Sequence, residues 1–428
     1  MKQNKLPSIP LFEKLENEQQ KWLISLAETW PLSFQQLRMI VEYCADMVCW
    51  NVGSPEQFYN PAAAEQVHGK KAAAIIFQQI KVGYDTVKNS EKKYASNTPV
   101  TTGERKFPAE QIVESPLNGN IMGICPVASE KTRCCNLKTL DAVQQCGFDC
   151  SYCSIQSFYH NNQVRFIKDI DSHLESLDLN PDEIYHIGTG QSSDSLMWGN
   201  RFGLHESLSS FAEKHPNVIL EMKSKSGRIE YFLEHQPPHN IVFTWSLNPP
   251  IVIEHEEKGA AGLDKRLESA RLLADKNIPV GFHFHPMVWY EGWQNDYISL
   301  VSKVTEMFES EEVVMISLGT LTFIKPVIKR IRQRFLNSSI LQMPMEESSG
   351  KLSYPLEVKK ELFSTVYNAF PKRWQEEVFF YMCMEDESLW QPVFGRSYST
   401  NEIFEADMLD SYMKKIKSIQ MNANQSPR

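Results

Sequence analysis

Apolar runs alternate with amphipathic segments between residues 183 and 319. Each run is short enough for one buried strand, and the segments between them carry apolar residues at helical spacing, as Leu263, Leu267 and Ala270 do. Strands that alternate with helices across short joints are typical of a parallel sheet covered by helices. With KTLDAVQQC (138–146) as a first strand, the pattern predicts six strands in an α/β fold, a partial (β/α)6 barrel. The other five runs are EIYHIG (183–188), NVILEMKS (217–224), NIVFTWSL (240–247), IPVGFHFH (278–285) and EVVMISLG (312–319).

The two ends of the chain differ from this central region. Near the start, SFQQLRMIVEYCADMVCWN (33–51) and the segment 61–94 are amphipathic at helical spacing. Near the end, one further apolar run, EVFFYMCME (377–385), is followed by a polar tail, KSIQMNANQSPR (417–428), that is expected to fray. The expected organisation is a helical N-terminal domain (1–120), the barrel core (121–340) and a short C-terminal α/β extension with its polar tail (341–428).

Three of the nine cysteines lie within eight residues, with the spacing Cys146-x3-Cys150-x2-Cys153. Buried structural thiols are one reading, although a glycine-containing loop with three thiols is hard to place in a core. A zinc site is a second reading, with Cys134 or Cys135 as the fourth ligand that zinc requires. An iron–sulfur cluster is the third, because thiolates are its normal ligands. Three ligands would leave one iron of a [4Fe–4S] cube open, and an open iron can bind a small molecule.

Composition indicates the setting in which such a loop would work. The chain has 428 residues, of which 42% are apolar and 23% charged, an ordinary globular balance for one large core or two to three domains. The start lacks the apolar segment of a signal peptide, and no apolar run approaches the roughly 18 residues of a membrane helix. We therefore expect no membrane span and a cytoplasmic location, where clustered thiols stay reduced and bind metals or act in catalysis.

The formal net charge is −9, which argues against a polyanion-binding surface over the whole protein. One segment departs from this balance. IKPVIKRIRQRF (324–335) carries five basic residues at mostly helical spacing. A solvated helix face and a contact with nucleic acid are both open readings of this segment.

The Cys-x3-Cys-x2-Cys spacing, with the aromatic Tyr152 just before the third cysteine, resembles the signature of the radical S-adenosylmethionine superfamily. In that superfamily the open iron chelates the amino and carboxylate groups of S-adenosylmethionine. An electron from the cluster then cleaves the sulfonium and yields a 5′-deoxyadenosyl radical, which abstracts hydrogen from a substrate. The resemblance implies a [4Fe–4S] cluster on Cys146, Cys150 and Cys153, with S-adenosylmethionine as a second cofactor.

Several later stretches resemble one branch of the superfamily, the spore photoproduct lyase family. They are IGTGQSSDSL (187–196), the long stretch from FTWSLNPP to YEGW (243–293), ISLGT (316–320) and YMCMEDESLW (381–390). The resemblance covers roughly residues 135 to 395 and leaves the N-terminal helical domain outside. Members of this family are lyases that repair a thymine dimer in spore DNA, while many relatives share only the scaffold.

The resemblance also assigns roles near the cluster. Tyr152 matches the aromatic that covers the adenine. Gly188, Thr189 and Gly190 match the turn whose backbone carbonyls take the methionyl ammonium, and glycines there allow the main chain to approach closely.

Further along the chain, Lys225 looks like the residue that meets the methionyl carboxylate, and Lys223 on the same strand face is its rival. Ser246 and Asn248 match positions that contact the ribose and tail of the cofactor. His285 is similarly placed near the adenosyl group.

Two positions depart from the family pattern. Gln191 stands where the repair enzymes keep a cysteine that donates a hydrogen atom to the product radical, and Ser154 stands where they keep a tyrosine. An amide cannot donate hydrogen as a thiol does, so repair of spore photoproduct is in doubt. Cys134 and Cys135 are candidate replacement donors; with Cys125 they could instead hold a second metal.

The function indicated by the sequence is that of a radical S-adenosylmethionine enzyme, a lyase-like protein whose substrate is unidentified, with damaged DNA as a candidate. The alternative is a non-catalytic iron–sulfur or zinc protein that serves as an interaction module. The enzyme reading implies an electron donor such as flavodoxin or ferredoxin as a partner, with nucleic acid as a candidate second partner and no membrane. The alternative has no use for a glycine turn, a Lys-x-Lys strand and a Ser-Leu-Asn strand end in barrel register.

Overall fold

A computed structural model describes residues 6–94, 111–117, 119–125, 132–154, 163–334, 336–348 and 350–425. The helices in these ranges are α1 (Asn17–Thr29), α2 (Phe34–Cys49), α3 (Gly69–Lys88), α4 (Ile170–Glu175), α5 (Leu204–Lys214), α6 (Glu230–Glu234), α7 (Pro250–Glu256), α8 (Leu263–Ala274), α9 (Trp293–Met307), α10 (Lys325–Arg334), α11 (Leu356–Ala369), α12 (Lys372–Glu377), α13 (Trp390–Phe394) and α14 (Asn401–Gln425). The strands are β1 (Ile112–Ser115), β2 (Met122–Ile124), β3 (Lys138–Leu140), β4 (Val143–Gln144), β5 (Asp149–Cys150), β6 (Val164–Ile167), β7 (Tyr185–Thr189), β8 (Val218–Ser224), β9 (Ile241–Ser246), β10 (Glu257–Lys258), β11 (Val280–Met287), β12 (Val313–Thr320), β13 (Thr322–Phe323), β14 (Glu346–Ser348), β15 (Lys351–Ser353) and β16 (Phe379–Met382).

The centre of the protein is an eight-stranded sheet in the order β16-β12-β11-β9-β8-β7-β3-β2, curled into a partial barrel. All neighbours in it pair in parallel except β2, which is antiparallel to β3. Every residue of β9 and β12 is buried, because these strands are covered on both faces. The predicted partial barrel is confirmed, and each of the five apolar runs overlaps one of its strands.

The first predicted strand is shorter than expected. Only Lys138–Leu140 belongs to the main sheet. The chain then leaves the sheet, and Val143–Gln144 pairs with β6 in a separate three-stranded sheet of order β1-β6-β4. The predicted strand 138–146 therefore covers segments of two different sheets, and hydrophobicity alone does not indicate where the chain passes from one sheet to the other.

The C-terminal part of the chain contributes a seventh parallel strand to the barrel sheet. Strand β16 pairs with β12 in parallel, with Met315 opposite Phe379 and Leu318 opposite Met382. Strands β13 to β15 and helices α10 to α12 separate β12 from β16 in the chain. The barrel is therefore longer by one strand than the six-stranded pattern predicted.

The expectation that the polar tail frays is wrong for most of its length. Helix α14 continues to Gln425, and its side chains Tyr412, Ile416 and Ile419 are buried. Together with the buried Phe404 and Met408 they form one apolar stripe along the helix, at spacings of three and four residues. The Tyr412 ring lies 5.4 Å from the ring of His186 on β7, so the helix packs against the barrel.

The predicted helices near the start of the chain are confirmed as α2 and α3. Ser33 and Gln36 form a capping box at the start of α2. The Tyr84 hydroxyl of α3 donates to Asp46 of α2 at 2.6 Å, and Arg332 of α10 donates to the same carboxylate at 2.7 Å. Charged hydrogen bonds thus tie the helical region to the barrel. In the described part of the chain, no helix is both long and apolar enough to cross a membrane.

Candidate active site at the carboxyl edge of the barrel

The three-cysteine loop follows β3 at the edge where the parallel strands end. Cys150 belongs to β5, which pairs with β10, and the Cys153 amide donates to the Cys150 carbonyl at 3.3 Å in a tight turn. Cys146 Sγ lies 3.8 Å from Met197 Sδ. Burial first, and then the charges of Asp194 and Cys153, raise the pKa of Cys146. The three thiols are therefore close enough to influence one another electrostatically.

The three thiolates of this loop fit the donor set of an iron–sulfur cluster. Among the described residues, no group of three His, Cys, Asp or Glu side chains is close enough to hold one ion. Tetrahedral zinc needs four ligands gathered around one point. An iron–sulfur cube instead takes each thiolate on a different iron, so its ligand sulfurs stay apart. Cys146, Cys150 and Cys153 suit that donor set.

Glu256, which was not among the predicted site residues, holds the cysteine loop through hydrogen bonds. Its carbonyl accepts the Ser151 amide at 2.8 Å, and its carboxylate accepts the Ser151 hydroxyl. The same carboxylate accepts Ser338 Oγ at 2.5 Å and the Tyr94 hydroxyl at 3.1 Å. One buried carboxylate thus links the cysteine loop to the segment after α10 and to the end of the N-terminal helical region.

Glu257 holds Tyr152 in place and was also missed. It accepts hydrogen bonds from the Tyr152 hydroxyl, from Asn248 Nδ2 at 2.9 Å and from Arg266 Nη2 at 2.5 Å. Burial alone would raise the pKa of Glu257, but the positive charges of Arg266 and Lys225 and these hydrogen bonds lower it to about 2. Glu257 is therefore a buried carboxylate that fixes the Tyr152 ring. The only sequence signal was a run of acidic residues, EHEE, inside a buried region.

We expect Arg266→Ala to destabilise the protein by about 3–5 kcal/mol, since it leaves the fully buried Glu257 carboxylate unpaired. Arg266 also donates to the carbonyls of Ser246 and Ala261, at 2.7 and 2.8 Å, and these acceptors would lose their partner. Denaturant unfolding monitored by circular dichroism measures the change. Lys303→Ala is the control. It removes an exposed ion pair between Lys303 of α9 and Asp264, which lies on α8 as Arg266 does, and it should change the unfolding free energy by less than about 1 kcal/mol. Equal losses for both variants would contradict the role given to the buried pair.

The Gly188–Gly190 turn lies at the end of β7. Gly190 has φ +85, and a Cβ there would come within 2.6 Å of Ser195 Oγ and 2.8 Å of the Lys223 carbonyl oxygen. Only glycine suits this position. The Thr189 hydroxyl is hydrogen-bonded to Ser195 Oγ at 2.7 Å and to the Glu221 carbonyl at 3.2 Å. The side chain of Thr189 is thus used in packing, and the turn can offer a ligand only backbone groups.

Lys225 lies just beyond the end of β8, on the cysteine side of the site. Its Nζ is 5.7 Å from the centre of the Tyr152 ring, and its charge lowers the pKa of Cys150, against the burial that raises it. Lys223 lies two residues earlier on β8. Burial lowers the pKa of Lys223, and the Cys383 thiol acts against this. Of the two lysines, Lys225 is the one beside the cysteine loop.

Ser246 and Asn248 lie at the end of β9. Both are buried, and Ser246 accepts Arg266 through its carbonyl. The Asn248 amide donates to Glu257, and its oxygen accepts the Tyr297 hydroxyl at 2.9 Å. The Asn248 side chain thus already has two partners inside the protein. Its expected contact with a cofactor stays a prediction, as does that of Ser246.

His285 lies on β11, two residues beyond the level of Ser246. It packs on Gly319, where a Cβ would come within 2.8 Å of the imidazole. Burial, and then the charges of Lys223 and Lys225, lower the pKa of His285 well below its usual range. A neutral imidazole therefore faces the two lysines in the barrel interior.

A second buried carboxylate, Glu221, lies deeper in the barrel. His186 and His283 contact its two oxygens through Nε2, at 2.8 and 2.7 Å, and Thr244 donates to it at 2.7 Å. Burial and the charge of Lys223 lower the pKa of His283 to about 4, so this ring is neutral and donates its Nε2–H. Glu221 could not be predicted from the sequence, because its partners come from three other strands.

Four further thiols gather near Lys223. Cys134 and Cys135 are buried and hydrogen-bonded to each other. The thiol of Cys383, just after β16, and that of Cys125 both act on the pKa of Cys135. Within the described ranges these thiols do not form a group that could hold a metal ion.

The family model for spore photoproduct lyase matches residues 143–372, more than half of the chain. This chain belongs to the spore photoproduct lyase family. The match includes the cysteine loop and the ends of strands β7 to β12 and leaves the N-terminal helices outside.

Three curated relatives in this family, all named spore photoproduct lyase, are similar to parts of the chain. The protein from Geobacillus sp. (strain Y412MC61) is 25% identical over 137 residues, 32% of this chain and 39% of its own length. That from Clostridium acetobutylicum is 22% identical over 222 residues, 50% of this chain and 64% of its own length. That from Bacillus subtilis (strain 168) is 32% identical over 85 residues, 20% of this chain and 25% of its own length. Each match thus spans less than two thirds of the relative.

Solved structures of spore photoproduct lyase share the fold. The enzyme complexed with dinucleoside spore photoproduct has a TM-score of 0.54 and 20% identity, over 63% of this chain and 82% of that chain. A mutant with bound AdoMet and dinucleoside spore photoproduct has a TM-score of 0.53 and 20% identity, over the same shares. At this identity the likeness supports the fold alone.

Proposed function

We propose that this protein is a radical S-adenosylmethionine enzyme that acts on an unidentified substrate, with damaged DNA as the candidate class. The observation that carries the proposal is the position of the cysteine loop. Cys146, Cys150 and Cys153 lie at the carboxyl edge of a partial barrel, between a glycine turn on β7 and the cationic end of β8. When bound, a [4Fe–4S] cluster with S-adenosylmethionine would supply a 5′-deoxyadenosyl radical by reductive cleavage of the sulfonium.

The side chains around the loop are suited to orienting such a cofactor. The Tyr152 hydroxyl is held by Glu257, so its ring keeps one orientation, as an aromatic that covers an adenine requires. Gly190, with φ +85, lets the chain turn at the end of β7, where its backbone groups are available to a ligand. Lys225 offers a cation next to Tyr152 for a carboxylate. His285, neutral and half-buried, is placed to contact the adenosyl part without adding charge.

The hydrogen donor of the repair enzymes has no counterpart at Gln191. We propose that a thiol near Lys223 takes that role, with Cys134 and Cys135 as candidates from sequence and Cys383 added by the structure. Burial raises the pKa of Cys383, although Lys223 lowers it. A thiol that stays protonated keeps the hydrogen atom that such a step requires.

The test of the proposed function is anaerobic reconstitution with iron and sulfide, followed by dithionite reduction in the presence of S-adenosylmethionine. We expect 5′-deoxyadenosine to accumulate, measured by liquid chromatography, and to increase with ultraviolet-damaged oligonucleotides. Protein prepared without oxygen that contains stoichiometric zinc and no iron would instead support the non-catalytic alternative. Iron-loaded protein that releases no 5′-deoxyadenosine would also contradict the proposal.

Lys225→Ala is expected to weaken binding of S-adenosylmethionine by roughly 1.5–3 kcal/mol, on the order of ten- to hundred-fold, because a charge-assisted hydrogen bond is lost. The shift that S-adenosylmethionine causes in the electron paramagnetic resonance (EPR) spectrum of the reduced cluster gives the affinity. Lys223→Ala is the matched variant, with the same side chain removed two residues away on β8. If Lys223→Ala weakens binding and Lys225→Ala does not, the assignment along the strand is wrong by two residues.

A further inference from the structure

A basic groove lies between the N-terminal helices and α10, outside the site described above. Its volume is about 620 Å³. Five basic side chains and one acidic side chain line it, although the chain as a whole has a formal charge of −9. The lining charged residues are Arg38, Glu42, Lys88, Lys325, Lys329 and Arg332.

Not all of these charges are available to a partner. Arg332 is paired with Asp46 at 2.7 Å, and Arg38 lies 3.8 Å from Glu42. Lys325 and Lys329 are exposed, and among the described residues neither forms an ion pair within 4.0 Å. The groove therefore presents uncompensated positive charge on the face of α10 that carries these two lysines.

The basic surface extends to the cysteine loop. Arg334, in the last turn of α10, donates to Asp149, the residue before Cys150. Arg330 lies four residues earlier, so it is on the same helix face one turn away, and it is exposed. Helix α10 thus connects the groove to the loop proposed to hold the cluster.

We propose that α10 and the groove dock an acidic one-electron-donor protein of the flavodoxin or ferredoxin class. This inference rests on the proposed function, because only a redox cluster needs such a donor. In the transfer, the donor loses one electron and is oxidised, the cluster gains it and is reduced, and no bond forms. An acidic protein complements the charge of Lys325, Lys329 and Arg330.

Two observations favour a protein donor over nucleic acid at this surface. The basic surface reaches the site through the contact between Arg334 and Asp149, next to the cysteine loop. A substrate would have to lie elsewhere, in the barrel interior near Lys223 and His285. The groove also contains apolar side chains, among them Met345, which is half-buried, and Phe34, which is 42% exposed. An apolar patch ringed by charge is typical of a protein interface.

The test uses the reconstituted full-length protein and reduced flavodoxin as the donor. The variant carries Lys325→Glu, Lys329→Glu and Arg330→Glu. The matched control carries Lys276→Glu, Lys372→Glu and Lys417→Glu, which change the net charge equally. These three side chains are also exposed, and Lys276 and Lys372 precede the amino ends of β11 and β16, at the opposite edge of the sheet.

We expect flavodoxin to reduce the cluster of the α10 variant at least about ten-fold more slowly than that of the wild type or the control, followed by stopped-flow absorbance. Anisotropy of labelled flavodoxin should show the same loss of binding, and the wild-type rate should fall steeply with salt. Dithionite, which needs no docking surface, should reduce all three proteins equally.

Three results would overturn the docking proposal. Equal flavodoxin rates for the α10 variant and the control would do so. So would unchanged flavodoxin binding together with lost binding of a single-stranded oligonucleotide, which would assign the groove to nucleic acid. A wild-type protein that dithionite cannot reduce, for lack of a cluster, would overturn the proposed function and the docking proposal with it, and the dithionite arm distinguishes this case from the other two.

Discussion

Replacing any one of Cys146, Cys150 and Cys153 with alanine is expected to abolish the reduced-cluster EPR signal and all formation of 5′-deoxyadenosine. Each thiolate would hold a separate iron, so no neighbour can take over the lost position. The wild-type protein should contain about four irons per chain after anaerobic reconstitution. Iron analysis and low-temperature EPR measure both quantities.

Cys49→Ala is the control for this experiment. Cys49 is a half-buried thiol at the end of α2, outside the cysteine loop. Its loss should leave the iron content and the EPR signal unchanged. A loop variant that kept its iron, or a Cys49 variant that lost it, would show that the ligands have been assigned to the wrong cysteines.

Turnover of spore photoproduct by the wild-type protein is expected to be inefficient. Gln191 cannot donate a hydrogen atom, so we expect the wild-type protein to cleave S-adenosylmethionine without converting dinucleotide spore photoproduct efficiently. The measurement compares thymine dinucleotide with 5′-deoxyadenosine in the same reaction. The expected result is much less dinucleotide than deoxyadenosine.

Gln191→Cys should raise the ratio of thymine dinucleotide to 5′-deoxyadenosine. Gln191→Ser should not, because serine is similar in size to cysteine but has no thiol. Gln191 is half-buried and directly follows the Gly190 turn, so a thiol there would lie at the carboxyl edge beside the cysteine loop. Many clean turnovers by the wild-type protein would show that Gln191 is no obstacle. Repair of spore photoproduct would then become the first reading of its function.

The charge on α10 illustrates how a sequence feature changes meaning in three dimensions. The sequence shows five basic residues on one helix and leaves open a solvated face or a nucleic-acid contact. In the folded protein, Arg332 forms an ion pair with Asp46, and Arg334 forms an ion pair with Asp149. The residues that remain, Lys325, Lys329 and Arg330, form the surface whose partner we propose.

The parallel barrel and the cysteine loop could both be predicted from the sequence. Both depend on spacing along the chain: buried strands appear as short apolar runs, and the intervals between Cys146, Cys150 and Cys153 are set within eight residues. Gly190 belongs to the same class, since its positive φ reflects a local turn. Such features need no knowledge of distant residues.

The contacts that hold the site join residues that are far apart in the chain, so they could not be predicted from the sequence. Glu257 is joined to Tyr152 across 105 residues of chain, and Glu221 to His283 across 62. The seventh strand, β16, and the stripe of α14 that ends in Ile419 also depend on surfaces supplied by remote segments. A buried carboxylate is stable only where its partners converge, and that convergence is created by the folding of the whole barrel and is not recorded in any local pattern of residues.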